Sequence, residues 1–333
     1  MPKLDRDVLY LIFEELQYDK RTLHSCLLIN RTCIIDIESE MKSIKKEIIT
    51  LFIKRNTKFT HISIPYKFDF QLHLIPKAKD HFSDIKFLSC STCVNNNILI
   101  GIMKICKSIE ELELIVGEDN NNNNGIIKLI KSQKNLLNIN LIYPSYTYDD
   151  KSFGEILENS LINHSNTIEY IKINKSPFTK ILTSFINLQV LELDNIQNTT
   201  LDYLENLSLP YLRILRTKSV SIEVSTILIK STGGFLNEIK IDSTFAAFDW
   251  DNLFKILTES SPNSLFKFKF YSYVSINLGS LKQFFENWKG KHPMLLQLSR
   301  VKNVEDLIVK YKKKGRVKIY NNNVNFDEGF EWI

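Results

Sequence analysis

The stretch LQVLELDN, residues 188–195, places an apolar residue, two free positions, a second apolar residue, one free position and a third in a row. Leu191 and Leu193 stand two apart, the period of one face of a strand, and Leu188 turns inward just ahead of them. The same spacing returns as FTHISI from Phe59, FSDIKF from Phe82, IEELEL from Ile109, LLNINL from Leu136 and IEYIKI from Ile168. It continues as LRILRT from Leu212, LNEIKI from Leu236 and LFKFKF from Leu265, with LLQL from Leu295 as a worn last copy. Subtracting those start numbers gives steps of 23, 27, 27, 32, 20, 24, 24, 29 and 30 residues. A strand this short cannot close a core alone, so its neighbours must close it.

Between copies lie amphipathic helical stretches, clearest at GIIKLIKSQKN (125–135), FGEILENSLINHS (153–165) and DNLFKILTESS (251–261). One strand and one helix per roughly 20–30 residues, stacked in parallel, predicts an α/β solenoid. This pattern resembles the leucine-rich-repeat superfamily in its irregular, ribonuclease-inhibitor-like form, over residues 59–298. The family's turn-bonding Asn or Cys is mostly missing; LQVLELDN, with Asn195, comes close. An ordinary α/β domain with parallel strands is the competing architecture, and nine or ten spread copies weigh against it. Asn120 to Asn124, in GEDNNNNNG, reads as a loop insertion between repeats. VEDLIVKYKKKGRVKIY reads as a helix and then a strand, Arg316 to Tyr320, covering the open last repeat.

The chain begins differently. In LDRDVLYLIFEEL, residues Leu4, Val8, Leu9, Ile12, Phe13 and Leu16 recur at helical spacing opposite Asp5, Asp7, Glu14 and Glu15. Asp19 can cap a second helix that carries Leu23, Cys26, Leu27 and Leu28. These residues, with Leu28-Ile29-Asn30-Arg31, resemble an F-box. Asp5 stands where that family has Pro, and Cys33 where it has Trp. The resemblance covers Leu4 to Cys33. Ile37, Met41, Ile44, Ile48 and Leu51, at steps of 4, 3, 4 and 3, continue as an amphipathic helix. The expected organisation is therefore an F-box-like hairpin at 1–35, a linker helix at 36–58, the solenoid at 59–300 and a cap at 301–333. A simple N-terminal cap of the solenoid is the alternative for the hairpin.

Composition narrows the function classes. Of 333 residues, 44% are hydrophobic, including 21 Phe and 13 Tyr, so the chain can bury a sizeable core. Only 10 Gly are present, which argues against phosphate-cradling loops. The formal charge of +5 is spread along the length, too diffuse for a dedicated nucleic-acid binder. Five unevenly spaced cysteines suggest a reducing compartment. With no visible secretory signal and no window of about 18 apolar residues, a cytoplasmic or nuclear protein with no membrane partner is expected. Cys90 and Cys93 in CSTC have metal-ligand spacing, but a zinc site needs a second pair, and Cys106 and His81 fit no finger spacing. No GxSxG, P-loop, GxGxxG or HExxH occurs, so neither catalysis nor a cofactor is expected.

In each strand, the position between the last two apolar residues should face the concave side. Those positions read Ser63, Lys86, Glu113, Asn140, Lys172, Glu192, Arg216, Lys240 and Lys269. Late basic residues Lys172, Arg216, Lys240, Lys267 and Lys269 make an acidic peptide a candidate target; solubility alone also explains surface charge. The F-box resemblance implies that Leu4, Val8, Leu9, Ile12, Phe13, Leu16, Leu28 and Ile29 hold a Skp-family adaptor and, through it, a cullin. The chain would then recruit an unidentified protein substrate to an SCF-type ubiquitin ligase. A leucine-rich-repeat scaffold with a degenerate F-box and no ligase role is the alternative, and a hydrolase on an α/β domain a distant third.

Overall fold

The computed structural model describes residues 58–322, apart from 65–67, 69–70, 118–123, 145–150, 197, 244–247, 274, 300 and 302. The F-box-like hairpin, the linker helix up to residue 57 and residues 323–333 lie outside the described residues.

Among the described residues, eleven strands form one sheet whose spatial order is its sequence order. They are β1 His61–Ile64, β2 Phe87–Ser91, β3 Glu111–Ile115, β4 Asn138–Ile142, β5 Tyr170–Ile173 and β6 Val190–Asp194. Then come β7 Ile214–Lys218, β8 Glu238–Ser243, β9 Lys267–Ser272, β10 Met294–Leu298 and β11 Val317–Asn321. Every neighbouring pair is parallel. Parallel neighbours require a crossover between them, and most are helical. The helices are α1 Ala78–Phe82, α2 Asn96–Ile105, α3 Asn124–Ser132, α4 Lys151–Leu161, α5 Ile222–Lys230, α6 Trp250–Ser260, α7 Leu278–Asn287 and α8 Glu305–Lys313. This α/β arrangement, each unit adding one strand to the same edge, is compatible with a repeat solenoid.

The register places Ile62, Leu88, Leu112, Ile139, Ile171, Leu191, Leu215, Ile239, Phe268 and Leu296 in one row across the sheet. Subtraction along that row gives steps of 26, 24, 27, 32, 20, 24, 24, 29 and 28 residues. The second copy therefore starts at Ile85, as IKFLSC, and not at Phe82. Phe82 imitates a first position because it is buried too, closing α1 and stacking on Phe59 with ring centroids 5.0 Å apart. In the last copy Met294, Leu296 and Leu298 point inward, whereas Leu295 pairs across from Lys267 on the opposite face. The shortest step, 20 residues between β5 and β6, contains only a 3-10 turn, Ile181–Ser184. A 3-10 turn rises about 2.0 Å per residue against 1.5 Å for an α-helix, so it spans the stack with fewer residues.

Inward residues of the eight described helices and of β1–β11 make one continuous core. Local signals start several helices: Asn95, Ser221, Asp249 and Asn277 each accept a backbone N–H of the first turn. At the far end α8 is followed by Gly315 at φ 69°, a left-handed turn that suits glycine, and then β11 pairs with β10. A helix followed by a strand is the order expected here from the sequence. Asn124, read as part of the asparagine loop, instead begins α3.

Candidate functional site

The face of the sheet away from the helices is built from alternate strand residues. Its central row runs Ser63, Ser89, Glu113, Asn140, Lys172, Glu192, Arg216, Lys240, Lys269 and Gln297, each opposite the next. Ser89 takes the place expected for Lys86. Lys86 precedes β2 and forms a 3.0 Å ion pair with Glu110 instead. The shift follows from the register of the second copy.

Neighbours at about 4.8 Å let short side chains bond across strands. Ser89 Oγ donates to Glu113 at 2.8 Å, and Asn140 Nδ2 donates to the other Glu113 oxygen at 2.8 Å. Farther along, Arg216 Nη1 donates to Glu192 at 2.6 Å and Nη2 to Glu238 at 3.4 Å. Lys172 Nζ lies 3.8 Å from Glu192 on its other side. Burial would lower the Arg216 pKa, but the Glu192 hydrogen bond and the charges of Glu192 and Glu238 outweigh it and raise the pKa. Tyr170 stands beside this group. Its hydroxyl is pushed up by burial first and by the Glu192 carboxylate second.

The five basic candidates thus occupy different settings. Lys172 and Arg216 share Glu192. Lys267 lies over the Phe266 ring, 5.6 Å from its centroid. Lys240 and Lys269 are in the central row, neither is an unpaired cation, and Lys269 is only 2% exposed. They form a row of engaged charges. The eight adaptor-binding positions, Leu4, Val8, Leu9, Ile12, Phe13, Leu16, Leu28 and Ile29, lie outside the described residues.

Among the described residues, Cys90, Cys93 and Cys106 are free thiols. Cys90 points into the core from β2, and Cys106 donates its thiol hydrogen to the Phe82 carbonyl at 3.2 Å. Burial pushes both thiols up to about 12, which keeps them protonated and unreactive. Among the described residues no group of three or more His, Cys, Asp or Glu could hold a metal ion. No described helix is long and apolar enough to cross a membrane.

Two polar devices were not anticipated. Asn174, directly after the inward Ile173, accepts from Tyr143 N–H at 2.6 Å and donates to Tyr143 C=O at 2.9 Å, tying two turns together. Its place at the end of IEYIKIN is a signal that sequence reading could have used. Glu158 is buried on α4, and its carboxylate accepts from Phe178 N–H, Thr179 N–H and the Thr179 hydroxyl at 2.6–2.9 Å. Burial raises its pKa, and those three donors pull the other way. Both fix the loop after β5 to the layer before it. No protein-family model matches the sequence, and no curated protein does.

Proposed function

We propose that this chain is an F-box and leucine-rich-repeat protein that recruits a target protein to a cullin-RING ubiquitin ligase. The observation that carries the recognition half is the central row. Ten residues from β1 to β10 stand in register on the face without helices, so a long polar surface is displayed by a rigid ladder. What carries the ligase half is the resemblance over Leu4 to Cys33. On this reading catalysis belongs to other subunits, and the chain contributes by holding its target close to them.

The test uses the full chain as bait for a Skp-family adaptor. Wild type is expected to capture the adaptor, and Ile12→Asp with Leu16→Asp to reduce capture at least ~10-fold, as for loss of buried apolar anchors. The melting midpoint of the repeat body should not change. A wild-type chain that captures no adaptor contradicts the ligase role and leaves the scaffold reading.

A further inference from the structure

Because the strands are parallel and in sequence order, the turns that enter them line up along one edge of the sheet. Among the described residues nine large apolar side chains are exposed, and four of them sit on turns entering four consecutive strands. They are Ile162 (38% exposed), Ile186 (53%), Tyr211 (50%) and Phe235 (54%), ahead of β5, β6, β7 and β8. Apolar residues scattered singly over a surface need no explanation; a run through successive units does. The backbone fixes this run. Asn187 Nδ2 donates to the Asn166 carbonyl at 2.8 Å, joining the turns into β5 and β6. Leu209 pairs with Thr232, the Gly233 N–H donates to the Leu209 carbonyl at 3.2 Å, and a side chain on Gly233 would lie 2.3 Å from the Pro210 carbonyl oxygen. That close approach brings the Phe235 ring to 5.8 Å from the Tyr211 ring.

Farther along, the same edge is basic. Residues 282–322 hold eleven Lys and Arg against three Asp and Glu, a net +8, whereas the whole chain carries +5. Lys289 and Lys291 precede β10, Lys312, Lys313 and Lys314 precede β11, and all five are exposed. No Asp or Glu occurs in 287–293 or 307–316. Glu305 and Asp306 begin α8, about 13 Å from its other end. Of the acids nearer the turns, Glu286 accepts from the Tyr311 hydroxyl and Glu205 pairs with Lys180, while Glu169 and Glu259 are exposed. On the turns with the aromatic pair, Arg213 and Lys230 are exposed and form no ion pair with a described residue. A helix C-terminus favours cations by itself, which accounts for the end of α8. Arg213, Lys289 and Lys291 lie outside any helix.

We propose that this edge docks an amphipathic helix of a partner protein. Its apolar stripe lies on Ile162, Ile186, Tyr211 and Phe235, and its next turns carry Asp or Glu against the lysines ahead of β10 and β11. The spacing matches. Anchors on neighbouring strands stand about 4.8 Å apart and the two rings 5.8 Å, close to the roughly 5–6 Å between residues three or four apart on a helix. From β5 to β11 the edge runs about 29 Å, the length of a helix of about 20 residues. Nucleic acid would use the lysines but leave Ile162 and Ile186 with nothing to stack upon them. The inference goes beyond recognition by the central row, since the edge is a different surface, and it stands whether or not an adaptor is captured.

The test titrates the full chain into a labelled synthetic peptide and follows fluorescence anisotropy. The probe is an α-helical peptide of about 20 residues, with leucines at i, i+3, i+4 and i+7 in its first half and a run of glutamates in its second. Wild type is expected to bind it. Tyr211→Ser with Phe235→Ser should weaken binding at least ~10-fold, as for loss of aromatic anchors. Lys289→Glu, Lys291→Glu and Lys312→Glu together should weaken it as much and flatten its salt dependence. All these residues are exposed, so the melting midpoint should not move. The same peptide with lysines in place of its glutamates should bind at least ~10-fold more weakly. A wild-type chain that does not bind the probe, or variants that bind it equally well, would overturn the proposal. Binding of an oligothymidylate as tight as that of the peptide would assign the edge to nucleic acid and overturn it too.

Discussion

Strands β1–β6 and β8–β10 share one backbone pattern and differ in both faces. In the early strands the inward residues are mostly Ile and Leu, with Cys90 the exception, and the polar face, mostly half-buried apart from the buried Ser89 and Ser91, is bonded side to side through Ser89, Glu113 and Asn140. In the late strands the inward residues include Phe268 and Phe270. They meet Trp250, Phe254, Phe284 and Trp288 at centroid distances of 5.0–5.6 Å. The Trp250 indole N–H is satisfied by Ser272 Oγ at 2.9 Å, whereas the buried Trp288 indole N–H has no hydrogen-bond partner among the described residues. On the polar face above it Glu238, Asp242, Lys269 and Gln297 are buried, while Lys240, Lys267 and Tyr271 are half-buried. The difference shows that the repeat spacing fixes only where side chains point. Side-chain volume then decides how strongly a unit holds its neighbours, and charge decides what its outer face can accept.

The largest test of that contrast is in the two cores. Phe268→Ala is expected to cost about 3–5 kcal/mol, because the ring contacts Phe270, Phe284 and Trp288 and leaves a cavity that rigid neighbours cannot fill. Leu112→Ala, its aliphatic counterpart in β3, should cost less, toward the low end of about 2–5 kcal/mol. Denaturant unfolding of both variants checks this, and equal losses would erase the distinction between the halves. A smaller effect is expected on the polar face. Arg216→Met leaves Glu192 and Glu238 without their shared cation and should cost about 1–3 kcal/mol. Lys86→Ala, which breaks an exposed ion pair with Glu110, should cost under about 0.5 kcal/mol. If the two matched, the charges of the central row would be no more coupled than rim charges.

Much of the architecture was legible because strand period and repeat step are set by apolar residues alone. Phe59, Ile109, Leu136, Ile168, Leu188, Leu212, Leu236 and Leu265 all take the inward first position that their spacing implied. The helices at 125–135, 153–165 and 251–261 were visible for the same reason. Register failed where a second buried residue sat at a competing spacing, as Phe82 does ahead of Ile85 and Leu295 beside Leu296. Helices α2, α5 and α7 were not singled out, although their capping residues were there to be read. For the candidate site, alternation identified the row from Glu113 to Lys269. It did not show that Arg216 is clasped by two carboxylates or that Lys269 is buried, because both depend on neighbours 22 or more residues away in sequence. Asn174 was passed over because only one copy carries it at that place.

The account rests on each unit adding one strand in fixed register, so that Ser89 and Glu113 stand side by side on the face opposite the helices. Paired residues on adjacent strands are close enough for a disulfide, which needs Cα atoms about 4.4–6.8 Å apart. Mild oxidation of the full chain carrying Ser89→Cys and Glu113→Cys, followed by peptide mapping, should give a bond between those two positions, and Lys86→Cys with Glu113→Cys should give none. A bond from position 86 and none from position 89 would contradict the register and, with it, the proposed recognition surface.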